Sequence, residues 1–362
     1  MIRSLRSTFV RFALPLGLCL ASLARAEWKQ DDKTVAWMQG EKTVWSFTFD
    51  AARGKAFFEP LTINGGPSLT SFRPADHPHH YSLWFSWKYI NRTNYWEESV
   101  GPGISAGRTS WTPPVIDTRP DGSATIRMAV TYSNRANNRL DMIEQREITV
   151  SAPDAQGSYN IDWKARFMAG PDGAYLDRTA MPGEPGGAVN GGYAGFSIRM
   201  ASDPLHIAYL STDGPITEWV SGRNRPNVPA VASNFTDGDK SVGGVAILSD
   251  PKNAGTRAPW YLINQGEMRF MCAAILAPSP KQIYAGSQFD LHYRVAMKAD
   301  AWTPQTLAAA HADWNRVINP PPPAPAGRGG RGGPPAAGAP AGAPAAAAAP
   351  ATPANPTAPA AR

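Results

Sequence analysis

Short segments in which β-branched and aromatic residues alternate with other residues recur along the chain and restrict its fold more than any other feature. Residues 34–38 and 43–49 are two such segments, and Gln39-Gly-Glu-Lys42 between them suits a hairpin turn. Residues 140–150 show the same period of two. Roughly a dozen segments of this kind, joined by turns that suit antiparallel pairing, predict an all-β domain built as a large sandwich of two antiparallel sheets.

One helix is predicted, and it closes the patterned part of the chain. Thr303 is a good N-cap, Pro304 a good first helical residue, and apolar side chains then recur on one face. Pro320 ends the helix, and the following proline, alanine and glycine offer too little apolar surface to fold. The sequence therefore predicts a single β-sandwich domain over residues 27–318 and a disordered tail over residues 319–362.

The first 26 residues have the pattern of a signal peptide. Three arginines precede and flank an apolar run at residues 12–23, and Ala24-Arg-Ala26 has the small-residue form of a cleavage site. The apolar run is too short for a transmembrane helix, and no later stretch is apolar enough for one. We therefore expect a periplasmic or secreted protein with no membrane span.

The overall charge of +6 does not describe the predicted domain. The signal and the tail hold seven of the 35 basic residues and none of the 29 acidic ones, which leaves the domain at −1. This balance argues against nucleic acid as a partner. Removal of Cys19 with the signal leaves Cys272 alone, so no intramolecular disulfide can form and stability must come from a core.

The stretch from Arg73 to residue 87 holds three of the six histidines, His77, His79 and His80, directly after Asp76. Pro74 and Pro78 keep the backbone out of a helix and favour extended geometry in the residue before each. In an extended chain the first and second histidines share a face, while the third points to the other. Imidazoles and a carboxylate on a stiff connection predict a functional site more strongly than a polar turn.

Two chemistries fit the histidines. They could move protons near neutral pH, with Asp76 or Glu97 as the carboxylate partner. They could instead bind a divalent metal through His77 and His79, and His292 is the candidate to join them from a distant strand. No other cofactor is predicted.

Aromatic residues with carboxylates follow in Tyr95-Trp-Glu-Glu98. Aromatic rings stack on sugar faces, and carboxylates bond hydroxyls or move protons. Glu97 and its neighbour diverge along an extended chain, so they do not form the facing pair that glycoside hydrolysis needs. Arg223, in a short arginine-rich segment, could clamp an acidic substrate. The candidate substrate-binding residues are Arg73, Trp84, Trp87, Trp96, Arg223 and Trp260.

Several of these motifs together resemble a known family. Asp76-His-Pro-His-His80 is its most specific element, and Asn94-Tyr-Trp96, residues 191–199, residues 242–253 and Leu291-His-Tyr-Arg-Val295 follow in order. Over about residues 45–300 the chain resembles the PmoA-named family of largely uncharacterised exported bacterial proteins. The membrane subunit of methane monooxygenase that shares this name has many membrane helices, which this chain lacks the apolar segments to form.

The resemblance implies a large sandwich similar to the galactose-mutarotase supersandwich. Proteins of that fold mostly act on sugars, with a histidine and a carboxylate at a concave sheet face. This link is an analogy at the level of the fold.

Four functional hypotheses follow. The leading one is an exported carbohydrate-active protein that acts on a sugar or glycoside by acid–base chemistry, as an epimerase, lyase or hydrolase would. A glycan-binding module without catalysis would need the aromatic residues and not the histidines. A histidine-ligated metal protein and a structural envelope protein with no small ligand are the remaining two.

Overall fold

The computed structural model describes residues 26–322. The predicted signal peptide, apart from its last residue, and the tail from residue 323 lie outside the described residues. Between residues 26 and 322, no helix combines the length and the apolar character needed to cross a membrane.

Twenty-four strands and two helices follow one another along the described chain. The first twelve strands are β1 Ala26–Gln30, β2 Thr34–Gln39, β3 Lys42–Thr48, β4 Phe57–Leu61, β5 Leu83–Ser86, β6 Tyr89–Ile90, β7 Thr93–Asn94, β8 Gly107–Trp111, β9 Val115–Thr118, β10 Ala124–Asn134, β11 Leu140–Val150 and β12 Tyr159–Ala169. The next eight are β13 Ala174–Asp177, β14 Gly195–Arg199, β15 His206–Ser211, β16 Gly214–Pro215, β17 Arg223–Asn224, β18 Asn227–Val228, β19 Ala230–Asp237 and β20 Lys240–Ser249. Helix α1 Pro251–Ala254, β21 Ala258–Gln265, β22 Met268–Ala273, β23 Lys281–Ile283, β24 Gln288–Lys298 and helix α2 Pro304–Ile318 complete the order.

Two ten-stranded antiparallel sheets form the body of the domain. The first has the order β1-β2-β3-β4-β5-β14-β22-β21-β17, with β18 also paired to β21. The second has the order β16-β15-β19-β20-β24-β12-β11-β10-β8, with β9 also paired to β10. A small sheet, β23-β13-β6-β7, lies apart from both. The predicted fold class, a large antiparallel β-sandwich with a C-terminal helix, is confirmed.

The period-two pattern of the strands sorts their side chains onto the two faces of each sheet. In β21, Trp260 and Leu262 belong to the main core between the sheets, whereas Tyr261 and Ile263 belong to a second cluster on the outer face of the first sheet. In β5, Trp84 is on this outer face and its two neighbours are in the main core. The central strands of the first sheet are therefore buried on both faces.

Helix α2 covers the outer face of the second sheet. Its N-cap Thr303 accepts a hydrogen bond from the Thr306 amide at 3.2 Å, which confirms the predicted start. Leu307 and Trp314 are buried against alanines and leucines of that sheet. The sequence analysis did not identify the four-residue helix α1 or the short strand β13, which lies in a stretch rich in glycine and proline.

An ion pair is buried inside the sandwich, in strand β11. The Arg146 guanidinium donates to both oxygens of Glu144, at 2.6 and 2.8 Å, and the Tyr132 hydroxyl donates to the same carboxylate at 2.6 Å. Arg146 also lies 4.6 Å from the ring centre of Trp163. The two charged side chains are 0% and 3% exposed, so each depends on the other for its stability in the core.

This pair gives a test of the core. We expect Arg146→Met to lower the free energy of unfolding by about 3–5 kcal/mol, because it leaves a buried carboxylate without a countercharge. The double variant Glu144→Gln/Arg146→Met removes both charges and should cost less than the sum of the single changes. Chemical denaturation measures both values. A loss of unfolding free energy below about 1 kcal/mol in Arg146→Met would show that Glu144 does not depend on Arg146 for its stability in this core.

Candidate functional site

A pocket of about 220 Å³ lies on the outer face of the first sheet, where side chains from residues 77–97, 190–193, 223 and 261–270 meet. Strands β21 and β22 form its floor, and the histidine stretch and the loops around it form its walls. Its volume is somewhat below the ~300 Å³ at which drug-sized ligand sites begin, which suits a small ligand such as one sugar ring. It is lined by His77, His79, His80, Trp96, Glu97, Asn190, Tyr193, Arg223, Tyr261, Ile263, Met268 and Phe270.

The histidine stretch folds as two successive turns and not as the extended chain that was predicted. The amide of His77 donates to the Pro74 carbonyl, and the amide of His80 donates to the His77 carbonyl, both at 3.0 Å. Arg73, expected to be extended because it precedes a proline, has a φ of 49°. The turns bring all three imidazoles to the pocket, so the prediction that His80 faces away from the other two is wrong.

The three imidazole rings lie close together. The ring centres of His77 and His80 are 4.7 Å apart, and His79 lies 5.5 and 4.9 Å from the two. The other face of His80 stacks on Phe270 at 5.1 Å. Trp84 lies beneath the pocket, 5.2 Å from the His80 ring. An aromatic floor thus fixes the position of the innermost histidine.

A buried arginine on strand β14 orients the first histidine. Nη2 of Arg199 donates to both oxygens of Asp76 at 3.0 Å, and Asp76 Oδ2 lies 2.9 Å from Nδ1 of His77. A carboxylate at Nδ1 keeps the proton on that nitrogen, so Nε2 is left for a ligand in the pocket. Arg199 is 1% exposed, and its Nη1 also lies 3.5 Å from Nδ1 of His80.

Burial makes two of the imidazoles poor proton acceptors. Desolvation lowers the pKa of His79 to about 4, against the opposing attraction of Glu97. Desolvation, and then the nearby histidines, hold the pKa of His80 well below its usual range. Both rings are therefore neutral at pH 7 and act in the pocket as hydrogen-bonding groups.

The carboxylate of Glu97 is held by three donors. Oε1 accepts from Lys88 Nζ and from the Tyr193 hydroxyl, the latter at 2.8 Å, and Oε2 accepts from Asn94 at 2.6 Å. Burial opposes ionisation of this carboxyl, but Lys88 and these hydrogen bonds prevail and lower its pKa. A carboxylate has about four lone-pair positions, so one position on Oε2 stays open to a ligand.

Glu98, the next residue, turns to a different set of partners. Its Oε1 accepts from Arg73 at 2.6 Å and from the Tyr81 hydroxyl at 2.5 Å, and its Oε2 accepts from the Gly103 amide at 2.7 Å. The expected divergence of the two glutamates is therefore seen. Arg73, predicted to bind substrate, belongs to this supporting network and does not line the pocket.

Lys55 is a buried cation behind the pocket that the sequence did not single out. Its Nζ donates to the Trp96 carbonyl at 3.0 Å and lies 4.8 Å from the centre of the Tyr81 ring. Desolvation lowers its pKa to about 8, although Glu98 and Glu97 oppose this change.

Three polar atoms of the pocket lining are buried without a hydrogen-bond partner among residues 26–322. They are Nε1 of Trp96, Nε of Arg223 and the hydroxyl oxygen of Tyr261. Tyr261 lies close enough to Arg223 for the guanidinium charge to act on its hydroxyl, but the two make no hydrogen bond of standard geometry. Buried polar atoms are rarely left unpaired, so a polar ligand in this pocket would satisfy them.

Several predicted residues lie elsewhere. Trp87 and Trp260 pack in the main core, because the pleat turns them to the inner face of the first sheet. His292 lies on the outer face of the second sheet, 5.0 Å from the Trp314 ring of helix α2, and therefore cannot join His77 and His79. Trp84 supports the pocket from below and does not line it.

The residues around the pocket that the sequence analysis missed include Lys55, Lys88, Tyr193, Arg199 and Tyr261. The alternation in β21 gives Tyr261 the opposite face from Trp260, so a choice of face in that strand would have found it. Arg199 lies within residues 191–199, which carried the family resemblance, but no local pattern links it to Asp76, 123 residues away.

Two of the six ring nitrogens of the histidine stretch have partners other than a metal. Nδ1 of His77 is engaged by Asp76, and Nδ1 of His80 faces the Arg199 guanidinium. In the described part of the chain, no group of three or more histidine, cysteine, aspartate or glutamate side chains is placed to hold a metal ion.

A larger cavity of about 860 Å³ lies near strand β24 and helix α1. Its charged lining consists of Lys252, Lys281 and the ion pair between Arg166 and Asp290, which are both about half exposed. No histidine lines it, and neither acid of the Glu97 and Glu98 pair does. The smaller pocket is therefore the one that brings the predicted catalytic residues His77, His79, His80 and Glu97 together.

Residues 34–312 match a protein family of unknown function, DUF6807, and the chain belongs to that family. No curated protein matches the sequence. The PmoA-named family remains a resemblance predicted from the motifs.

Three solved structures are similar to this one. A Klebsiella pneumoniae protein, provisionally described as an aldose 1-epimerase, matches with a TM-score of 0.42 and 10% identity over 78% of this chain and 83% of its own. The α-galactosidase of Lactobacillus brevis matches with a TM-score of 0.40 and 9% identity over 76% of this chain. The match spans only 39% of the galactosidase. The Slr1438 protein of Synechocystis sp. PCC 6803 matches with a TM-score of 0.35 and 8% identity over 76% of this chain and 96% of its own.

Lys55 provides a test of the electrostatics behind the pocket. Its pKa is about 8 in the folded protein and 10.5 as the ordinary value, so between these pH values the unfolded chain binds more protons. The unfolding free energy of the wild type, measured relative to Lys55→Met, should therefore rise from pH 8 to 10.5, by up to about 3 kcal/mol. Denaturation curves across this range measure the difference, and a difference independent of pH would refute the buried-cation assignment.

Proposed function

We propose that the protein binds a single sugar ring in this pocket and transfers protons at its anomeric centre, as an aldose 1-epimerase does. The observation that carries the proposal is the meeting of a carboxylate, Glu97, and a carboxylate-backed imidazole, His77, in one aromatic pocket with unpaired polar atoms. Trp96 and Tyr261 line the pocket and would contact the sugar, and His79 offers a neutral hydrogen-bonding group.

The proton transfers balance within this set. The Glu97 carboxylate takes the proton of the anomeric hydroxyl while protonated His77 gives the proton on Nε2 to the ring oxygen. The bond between the anomeric carbon and the ring oxygen breaks, and an aldehyde forms. Rotation and closure with the transfers reversed give the other anomer. Asp76 stabilises the positive charge that His77 carries before it donates.

The number of carboxylates separates this reaction from glycoside hydrolysis. Glu97 is the one acid among the described residues that line the pocket. Hydrolysis of a glycosidic bond by the usual route needs two carboxyl groups across the bond. Asp76 is occupied by Arg199 and His77 and does not line the pocket, which favours chemistry with one carboxylate and one imidazole.

A binding module without catalysis is the second candidate. The three hydrogen bonds to Glu97 lower its pKa, and a carboxylate so stabilised is a weak base but a good acceptor for sugar hydroxyls. In that case the pocket would hold the same ligand and leave it unchanged. The predicted signal peptide supports a periplasmic or secreted location for either function.

Anomer exchange distinguishes the two candidates. We expect the wild type to speed interconversion of D-galactose or D-glucose anomers, followed by polarimetry or NMR exchange, and Glu97→Gln or His77→Asn to lower kcat by about 100-fold or more. Glu147→Gln removes an exposed carboxylate on the other sheet and should leave the rate unchanged.

Sugar binding by the wild type and the same variants is measured alongside the exchange rate. Sugar binding by the wild type with no exchange above background, and weaker binding in Glu97→Gln, would establish the binding module. Exchange at the wild-type rate in both site variants would exclude these two groups from the chemistry.

Metal content tests the hypothesis of a histidine-ligated metal protein. Because Nδ1 of His77 faces Asp76 and Nδ1 of His80 faces Arg199, we expect protein purified without chelators to carry far less than one metal ion per chain. Inductively coupled plasma mass spectrometry gives the value. Near-stoichiometric metal in the wild type that is lost in His77→Ala would restore the metal hypothesis, and His292→Ala is the matched control.

A further inference from the structure

The charges around the pocket are unequally paired. Each nearby acid has a cationic partner: Glu97 has Lys88, Glu98 has Arg73 and Asp76 has Arg199. Three cations, by contrast, have no carboxylate partner within residues 26–322, and these are Lys55, Arg223 and Arg225. The surroundings of the pocket are therefore positively charged in a domain whose net charge is −1.

Two of these cations already have other roles. Arg225 donates to the carbonyls of Val189 and Gly191 at 2.9 and 2.7 Å, and its guanidinium lies 4.4 Å from the centre of the Tyr261 ring. It thereby holds the loop that brings Asn190 to the pocket. Lys55 is hydrogen-bonded to a backbone carbonyl behind the pocket wall. Neither side chain lines the pocket.

Arg223 lines the pocket and keeps one edge of its guanidinium unused. Nη1 donates to the Ser221 carbonyl and to Oε1 of Gln265, which fixes the side chain from one side. Nε is buried without a hydrogen-bond partner of standard geometry, and the hydrogen bonds that Arg223 makes to described residues all come from Nη1. The Tyr261 hydroxyl is the polar group near this edge of the guanidinium. The Nε and Nη2 hydrogens lie side by side on a planar group, and this pair matches the two oxygens of a carboxylate.

The fixed position of Arg223 strengthens the match. Strand β17 pairs with β21, with Arg223 opposite Ile263 of the pocket lining. A side chain anchored through Nη1 loses little further freedom when its other edge binds a ligand. A neutral sugar hydroxyl would use one of the two free hydrogens at a time, whereas a carboxylate uses both and supplies the missing negative charge.

We propose that the ligand is an acidic sugar, a uronic acid in its pyranose form, and that Arg223 binds its carboxylate through Nε and Nη2. This inference rests on the proposed function, because it assumes that the pocket holds one sugar ring. The Tyr261 hydroxyl, next to the guanidinium, is placed to donate to the same carboxylate. Glu97 and the histidines then face the rest of the ring.

Matched pairs of sugars test the proposal. Binding of D-galacturonate and D-glucuronate is compared with binding of D-galactose and D-glucose, by calorimetry or saturation-transfer NMR on the mature chain. We expect the uronates to bind the wild type about 10- to 100-fold more tightly than the neutral sugars. Arg223→Gln should remove most of that preference, because the uronates lose two hydrogen bonds and a countercharge whereas a neutral sugar loses one hydrogen bond at most.

Two further variants keep the result interpretable. Arg127→Gln removes an exposed arginine on the second sheet and should retain the full preference for uronates. Arg223→Lys keeps the charge but lacks the paired hydrogens, so it should recover only part of the preference. Thermal denaturation of each variant checks that the domain is folded.

The outcomes separate the two proposals. Equal affinity of the wild type for uronates and neutral sugars, or an equal loss of both in Arg223→Gln, overturns the acidic-sugar assignment and leaves the proposed function intact. No binding of either class by the folded wild type overturns the proposed function, and the assignment with it.

Discussion

Burial on both faces of the first sheet is the constraint on which the site depends. Strands β5, β14, β21 and β22 pack one face against the second sheet and the other against the pocket cluster, so apolar and aromatic side chains are favoured on both faces. Hydrophobic burial is the main force that favours such packing, and here it acts twice on the same strands. The pocket floor is consequently rigid, and Phe270 can hold the ring of His80 in one place.

Charges placed on that floor must be paired, since a buried charge without a partner is costly. Each acid near the pocket is paired with one arginine or lysine, and the pairing also orients the side chains of the pocket. Arg199 holds Asp76, which in turn holds His77, while Lys88 and Tyr193 hold Glu97. The same contacts therefore stabilise the fold and fix the side chains of the pocket in position. Among the lining residues, Arg223 is the cation that has no carboxylate partner within residues 26–322.

The hairpins and the histidine stretch were predictable because their signals are local. Alternation and turn residues identified β2, β3 and β11, and Asp76-His-Pro-His-His80 identified one wall of the pocket. The conformation of that wall was not predictable, because two turns replaced the extended chain. The roles of Trp87 and Trp260 were wrong for a related reason: an aromatic residue beside polar ones has the same local pattern on either face of a sheet.

The sequence by itself determined the class of fold, the strand periodicity and the segment that carries the imidazoles, since each depends on residues near one another in the chain. The tertiary structure alone decided which alternate residues of each strand face the pocket. As a result, Tyr261 lines the pocket and Trp260 does not. The tertiary structure also decided that Arg199 meets Asp76 and that His292 lies under helix α2. These outcomes depend on pairing between distant strands, and a shift of one residue in register would exchange the two faces.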